Sequence, residues 1–206
     1  MNRLITGIRG ALAALLLALA VAGCAGPKQT QKEDDDFFSK FPLVTLSNDV
    51  IHSPEGDMTA RLPDGWVMID AGALQAPGVF AAACDTAYTV SLIFSEVPVD
   101  AAVRDAFSRR GLKGLGEASF QRRQKRSSNR AQLVGEVEEF AIGRRLFTAY
   151  TYSTDSMKTL TRTAVFFTNS HLYECAVTHL TFSDRELPSQ RVMGEIHELV
   201  LGTIEW

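Results

Sequence analysis

Runs of alternating apolar and polar residues recur along most of the chain and predict a body built mainly of strands. The clearest run spans residues 89–97, where Val90, Leu92 and Phe94 fall on one face. Asn169-Ser170 supplies turn chemistry between two late runs, which favours consecutive antiparallel strands there. We predict strands at 44–51, 57–62, 66–69, 79–84, 89–97, 131–140, 145–152, 161–168 and 172–180.

A helix is expected between the strand runs, after residue 99. Asp100 can cap it, and Val103 and Phe107 keep the spacing of one helix face. Because glycine weakens a helix, we expect this one to end in the stretch that contains Gly111, Gly114 and Gly116.

A second helix is expected at the C-terminus. Ser183 and Glu186 fit a capping box, and Pro188 lies close to the predicted helix start. An apolar stripe at helical spacing follows, formed by Val192, Ile196, Leu199, Val200 and Ile204. The whole pattern predicts an α+β fold, an antiparallel sheet of about six to seven strands covered by the inserted helix and a C-terminal amphipathic helix.

This order of elements resembles the PsbP/DcrB-like fold. The segment Ala60-Arg61-Leu62-Pro63-Asp64-Gly65-Trp66 is similar to the early strand and Pro-x-Gly-Trp turn of those domains, and residues 162–177 (RTAVFFTNSHLYECAV) are similar to their late hairpin. The resemblance would cover most of residues 57–206. It implies a fold but no activity, because these families share no single chemistry. The basic stretch and the Ala/Gly-rich loop near residue 75 depart from the family pattern.

The N-terminus has the layout of a secretory signal. Arg3 and Arg9 precede an apolar run over residues 10–21, and small residues then lead to Cys24. The run is shorter than the roughly twenty residues needed to span a bilayer, which argues against a retained transmembrane anchor. Val21-Ala22-Gly23-Cys24 resembles the lipobox of bacterial lipoproteins, which implies a signal peptide of residues 1–23 and attachment of acyl chains such as palmitate to Cys24. The alternative is an ordinary signal peptide followed by a chance cysteine.

Beyond the signal, the chain divides into two predicted parts. Residues 24–40 are polar and carry the acidic run Glu33-Asp34-Asp35-Asp36, so we expect a flexible tether. Residues 41–206 have a length suited to a single domain. Ala25 stands where, in the lipoprotein family, an aspartate signals retention in the inner membrane. We therefore expect a cell-envelope protein anchored in the outer membrane and facing the periplasm.

Positive charge is concentrated in one stretch of an otherwise acidic chain. The formal net charge of −3 argues against a nucleic-acid binder, yet residues 101–130 hold nine cations against only Asp105 and Glu117. This stretch either contacts anionic lipid headgroups or an acidic envelope partner, or it is a solvated surface that keeps the protein soluble. The residues considered for such contact are Arg109, Arg110, Lys113, Arg122, Arg123, Lys125 and Arg126.

Two cysteines remain after the predicted lipidation site. In an oxidising compartment Cys84 and Cys175 could form a disulfide, which would stabilise the fold by about 4–5 kcal/mol. They could instead be two separate buried thiols that pack as small apolar side chains. The sequence leaves both alternatives open, because pairing requires Cα atoms within about 7 Å of each other.

The sequence contains no recognisable catalytic, cofactor-binding or metal-binding motif. Four histidines (His52, His171, His179 and His197) form no zinc-binding spacing, and no Gly-x-Ser-x-Gly marks a nucleophile. His171 and His179 would lie roughly 26 Å apart along a strand, too far to share a metal.

These observations lead us to expect a non-catalytic binding or accessory role without a cofactor. The expected partners are the membrane, through the lipid on Cys24, and an envelope protein or anionic lipid, with no nucleic acid. Two alternatives stay open: a periplasmic hydrolase or redox enzyme with a dispersed site, and a structural role within an envelope complex.

Overall fold

Nine strands and two helices are described by the computed structural model, which covers residues 44–70, 72, 76–181 and 184–206. They are β1 (Leu46–His52), β2 (Thr59–Pro63), β3 (Val67–Ile69), β4 (Val79–Cys84), β5 (Val90–Val97), α1 (Ala101–Arg126), β6 (Gln132–Ile142), β7 (Arg145–Ser153), β8 (Thr161–Phe167), β9 (Leu172–His179) and α2 (Gln190–Gly202). All nine predicted strands are present within a few residues of their expected bounds. The predicted signal peptide and tether lie outside the described residues.

Seven strands form one antiparallel sheet in the order β3-β4-β5-β9-β8-β7-β6, and β1 and β2 form a separate antiparallel hairpin. Because β9 lies between β5 and β8, the chain must cross the sheet after β5, and α1 makes that crossing. This arrangement confirms the predicted α+β fold, with one inserted and one C-terminal helix in the described part of the chain.

The sheet has an apolar core on each face. One core lies between the sheet, α2 and the β1–β2 hairpin, and it includes Phe94, Phe166 and Val200. The other lies beneath α1 and includes Leu115 and Tyr150. Burying a side chain such as Phe or Leu stabilises the fold by roughly 1.5–3 kcal/mol, so these cores fix the position of both helices.

Helix α1 does not end at its glycines, so that prediction is wrong. Only Gly111 leaves the helical conformation (φ 59°, ψ −143°), and the helix bends there and continues to Arg126. Gly114 and Gly116 remain inside the second half of the helix, where they allow close packing. A Cβ on Gly114 would collide with the carbonyl oxygen of Ala106 across the bend. The glycines therefore permit a bend instead of a stop.

Helix α2 begins later than the proposed capping box predicts. Its N-cap is Ser189, whose side chain accepts a hydrogen bond from the Val192 amide, and Ser183 lies outside the described residues. Pro188 disfavours helical geometry at Leu187, which explains why a helix does not start before it. The predicted apolar stripe is confirmed, since Ile196, Leu199 and Val200 are buried. None of the described helices is long and apolar enough to cross a bilayer.

Candidate functional site

The bend of α1 forms a cleft of about 590 Å³. Four of the seven cations singled out in the sequence line it, whereas Lys113, Arg123 and Arg126 do not. The cleft lies between the two halves of the helix and is lined by Asp100, Asp105, Arg109, Arg110, Glu117, Arg122 and Lys125, among others. Most of its charges are paired. Arg109 pairs with Asp105, Arg110 with Glu117 at 2.5 Å, and Arg122 with Asp100 at 3.6 Å. The cleft is therefore a mixed-charge surface with only a small excess of positive charge.

Arg122 and Arg123 are largely turned inward and are poorly placed for an exposed contact surface. Arg122 donates to the Pro98 carbonyl oxygen at 3.1 Å. The guanidinium of Arg123 lies 5.7 Å from the centre of the Tyr152 ring and donates to Glu174 Oε2 at 3.3 Å. Burial alone would lower the pKa of Arg123, but Tyr152 and Glu174 outweigh burial and raise that pKa.

Glu174 is the centre of a buried polar cluster between α1 and the sheet. Ser119 Oγ donates to Glu174 Oε1 at 2.5 Å and lies 2.7 Å from the Tyr150 hydroxyl oxygen. Burial, and then the charge of Glu174, raise the pKa of Tyr150, so its hydroxyl stays protonated. Every polar group named here is engaged by a neighbour, and the arrangement joins α1 to β7 and β9. No sequence pattern indicates this cluster, because its members are far apart along the chain.

A second polar cluster surrounds Asp57, in the turn between β1 and β2. Asp57 Oδ2 accepts from Thr168 Oγ1 at 2.6 Å and lies 2.9 Å from His171 Nδ1, and Oδ1 accepts from the Tyr173 hydroxyl at 2.6 Å. The hydroxyls of Ser53 and Ser170 also donate to this carboxylate. The β1–β2 hairpin is thereby held against the turn between β8 and β9.

The hydrogen bonds of this cluster shift the pKa values of its members. Burial alone would raise the pKa of Asp57, but the bonds from Thr168, Tyr173 and His171 hold it well below its usual range. The bond to Asp57 raises the pKa of His171. Burial and the same carboxylate raise the pKa of Tyr173 to about 12. Ser170 Oγ lies 2.9 Å from the same nitrogen of His171 that faces Asp57, so this serine is not placed as a nucleophile activated by Nε2.

The remaining histidines are separated from one another. His179, at the other end of β9 from His171, has its Nε2 2.9 Å from the Pro188 carbonyl oxygen. His197 is fully buried beside the Cys175 carbonyl oxygen, and burial lowers its pKa to about 3. Among the described residues, no three His, Cys, Asp or Glu side chains are arranged to hold a metal ion.

Cys84 and Cys175 are both free and buried. The disulfide alternative is therefore wrong, and the alternative of two separate buried thiols is the one that the structure has. Cys84 lies opposite Ser91 of β5, whereas Cys175 lies opposite Phe94 of the same strand. Because these two β5 residues are three positions apart, the cysteines point to opposite faces of the sheet. Burial raises the pKa of both thiols. Cys24 lies outside the described residues.

Comparison with solved structures supports the fold. The solution structure of cyanobacterial PsbP (CyanoP) from Synechocystis sp. PCC 6803 matches with a TM-score of 0.50 and 16% sequence identity, over 80% of this chain and 98% of that chain. A crystal structure from Bacteroides thetaiotaomicron VPI-5482 is more distant, with a TM-score of 0.32 and 13% identity over 76% of this chain and 47% of that chain.

Comparisons with family models and with curated proteins found no match. The solved-structure likeness concerns the fold alone, because its sequence identity is low. Within that limit it bears out the resemblance carried by the early Pro-x-Gly-Trp turn and the late hairpin: the chain has a PsbP-like fold.

Proposed function

We propose that this chain is a bacterial envelope lipoprotein, exported by residues 1–23 and anchored through acyl chains on Cys24. The observation that carries the proposal is the order of features at the N-terminus. A cationic segment, a short apolar run and the sequence Val21-Ala22-Gly23-Cys24 follow one another directly. Several acyl chains on one residue give stable attachment, whereas one chain gives only marginal binding.

The tethered domain has, in this proposal, a non-catalytic binding or accessory role. The PsbP-like fold supports this role. The buried ionisable groups support it too, because they stabilise the fold. Glu174 and Arg123 hold α1 on the sheet, and Asp57 holds the β1–β2 hairpin. Their hydrogen bonds are directed at other parts of the fold. Of the exposed cations of α1, Lys125 and Arg126 form no ion pair within the described residues and remain available to a partner.

Membrane fractionation in a host bacterium with two membranes tests the anchor. The wild-type chain should sediment with membranes and resist extraction at high salt and alkaline pH, whereas Cys24→Ala should appear uncleaved or in a soluble fraction. Cys84→Ala is the matched control and should fractionate like the wild type. Metabolic labelling with a palmitate analogue should mark the wild type and the control but not Cys24→Ala. Labelling of Cys24→Ala at the wild-type level would contradict the proposal.

The same experiment separates the two membranes. On a density gradient the wild type should follow outer-membrane markers. Ala25→Asp should follow inner-membrane markers, because the residue after the acylated cysteine is the expected sorting signal. Co-migration of the wild type with inner-membrane markers would overturn the predicted location while leaving the anchor intact.

A further inference from the structure

Two turns of the domain share one hydrogen-bonding pattern. In the turn between β4 and β5, Asp85 Oδ1 accepts from the Thr89 amide and Oδ2 from the Thr89 hydroxyl, both at 2.7 Å. In the turn between β7 and β8, Asp155 Oδ1 accepts from the Thr159 amide at 3.0 Å and Oδ2 from the Thr159 hydroxyl at 2.7 Å. Both carboxylates therefore accept hydrogen bonds from within their own turns.

Each of these turns exposes one large apolar side chain. Tyr88 is 52% exposed and Met157 is 54% exposed. Both residues have a left-handed backbone, with φ of 57° and 73°. A non-glycine residue in that region is uncommon, and in these turns it accompanies a side chain that gains little from packing on the domain. The turns thus present an aromatic and a thioether side chain to the surroundings.

The sheet register places both turns at the same end of the sheet. Paired positions form a row across the strands, from Cys84 of β4 through Ser91, Thr178 and Thr161 to Tyr152 of β7. Neighbouring strands lie about 4.8 Å apart, so the two turns are separated by about 14 Å. Tyr88 and Met157 can therefore contact one surface together.

Unpaired cations lie at that same end. The row ends at Leu133 of β6, which pairs with Tyr152, and the turn from α1 into β6 precedes it directly. Lys125, Arg126 and Arg130 belong to this turn and the last residues of α1, and Lys158 lies beside Met157; all four are exposed. No carboxylate in the described part of the chain forms an ion pair with any of them.

The chain also reaches the described domain at this end. The Thr45 carbonyl oxygen accepts a hydrogen bond from the Asp64 amide at 2.7 Å. Val67, three residues after Asp64 in the sequence, pairs with Cys84, which belongs to the row of paired residues described above. The described part of the chain therefore begins at the end of the sheet that carries the two turns. Asp64 lies at the β3 edge, whereas the four cations lie on the β6–β8 side.

We propose that this end of the sheet docks on an anionic lipid bilayer, a role that rests on the proposed attachment through Cys24. Tyr88 and Met157 enter the headgroup region, and Lys125, Arg126, Arg130 and Lys158 contact anionic headgroups. Exposed apolar tips beside cations are the combination that binds the membrane interface. The formal net charge is −5 once Arg3 and Arg9 are removed from the total of −3, so the bulk charge of the mature chain repels such a surface. Binding must then come from this local surface.

Vesicle sedimentation tests the docking without the lipid anchor. The probe is the chain from residue 24 onward with Cys24→Ser, which contains both apolar cores of the fold. It should bind vesicles of phosphatidylcholine and phosphatidylglycerol in equal amounts more tightly than phosphatidylcholine alone, and high salt should weaken that binding. The double variant Arg126→Ala/Arg130→Ala should bind the anionic vesicles about thirtyfold more weakly. The double variant Tyr88→Ser/Met157→Ser should bind about tenfold more weakly at every salt concentration.

A matched control is available at the opposite end of the sheet. Arg144 is exposed and Leu146 is 58% exposed beside the β6–β7 turn. The double variant Arg144→Ala/Leu146→Ser removes one cation and one apolar side chain there and should bind like the parent. Equal circular dichroism spectra would show that all variants are folded.

Three results would overturn the docking proposal. They are an absence of binding to anionic vesicles at low salt, an equal loss in the control, and unchanged binding of Tyr88→Ser/Met157→Ser. The last result would indicate a purely electrostatic contact, as with an acidic protein. Because the probe carries no acyl chain, any of these results leaves the lipoprotein proposal to its own fractionation test.

Discussion

Arg123 and Glu174 meet beneath the second half of α1, where Nη2 of the arginine lies 3.3 Å from Oε2 of the glutamate. The other carboxylate oxygen of Glu174 accepts a hydrogen bond from the Ser119 hydroxyl. Glu174 is only 6% exposed. A strand of the sheet and the inserted helix are thus joined through a charged pair that is largely removed from water.

Replacing Glu174 should therefore destabilise the fold strongly. Glu174→Ala leaves Arg123 without its carboxylate and Ser119 without an acceptor, and removing one partner of a buried pair costs about 3–5 kcal/mol. Because Arg123 is partly exposed, we expect a value near the lower end, about 3 kcal/mol, in urea unfolding. Arg109→Met, which breaks the exposed pair with Asp105, should change the free energy of unfolding by less than about 0.5 kcal/mol. Equal losses in the two variants would contradict the buried role of Glu174.

The Asp57–His171 pair should make stability depend on pH in two directions. The folded-state pKa of Asp57 is lowered, so its stabilisation is present above the unfolded value of about 4 and is lost as pH falls through the folded pKa. The folded-state pKa of His171 is raised, so its stabilisation is present below the unfolded value of about 6.5 and is lost as pH rises through the folded pKa. The pair should stabilise the fold most between these limits.

Two variants separate the contributions of this pair. Asp57→Asn should lower the free energy of unfolding near pH 5.5 by about 1–3 kcal/mol, because several donors lose a charged acceptor. His171→Gln should lower stability below about pH 6.5, where the wild-type histidine stabilises the fold, and should abolish the decline in stability that the wild type shows as pH rises further. Asp49→Asn, at an exposed position of β1, is the control and should behave like the wild type. If urea unfolding of His171→Gln and the wild type follows the same pH profile, the pair does not act as described.

The fold was more predictable than the polar clusters. Apolar, β-branched and aromatic runs bounded by turn residues identified the described strands, including β8 and β9, whose central residues are buried on both faces of the sheet. These runs could not reveal that Asp57 meets Thr168 and Tyr173, since those contacts depend on how distant segments are folded together. The failure at α1 has a different cause. Gly111, Gly114 and Gly116 look like helix breakers in sequence, and only tertiary packing shows that two of them lie within a continuing helix.

Two glycine substitutions, one beside the bend of α1 and one in α2, should have opposite effects on the free energy of unfolding. Gly114→Ala places a methyl group against the Ala106 carbonyl oxygen and should destabilise the protein by about 1–3 kcal/mol. Gly194→Ala lies in α2 with no atom within 4 Å of the added methyl, and it should stabilise by about 0.5–1 kcal/mol because alanine favours a helix. Thermal unfolding of both variants measures the difference. A stabilising Gly114→Ala would show that the two halves of α1 are not in close contact.

The two buried thiols should be hidden in the folded protein and unpaired. Cys84 is 2% exposed and Cys175 is 0% exposed. In the chain that carries Cys24→Ser, a thiol reagent should react with neither cysteine under native conditions. It should react with both after unfolding without a reductant. Failure to titrate two thiols in denaturant would indicate a disulfide that the sheet register forbids.

The most direct test of the lipoprotein assignment is mass spectrometry of the N-terminal peptide of the protein purified from membranes. We predict a peptide that begins at Cys24 and carries a thioether-linked diacylglyceryl group and an acylated amine. A peptide that begins at another residue, or one with an unmodified Cys24 thiol, would contradict the assignment.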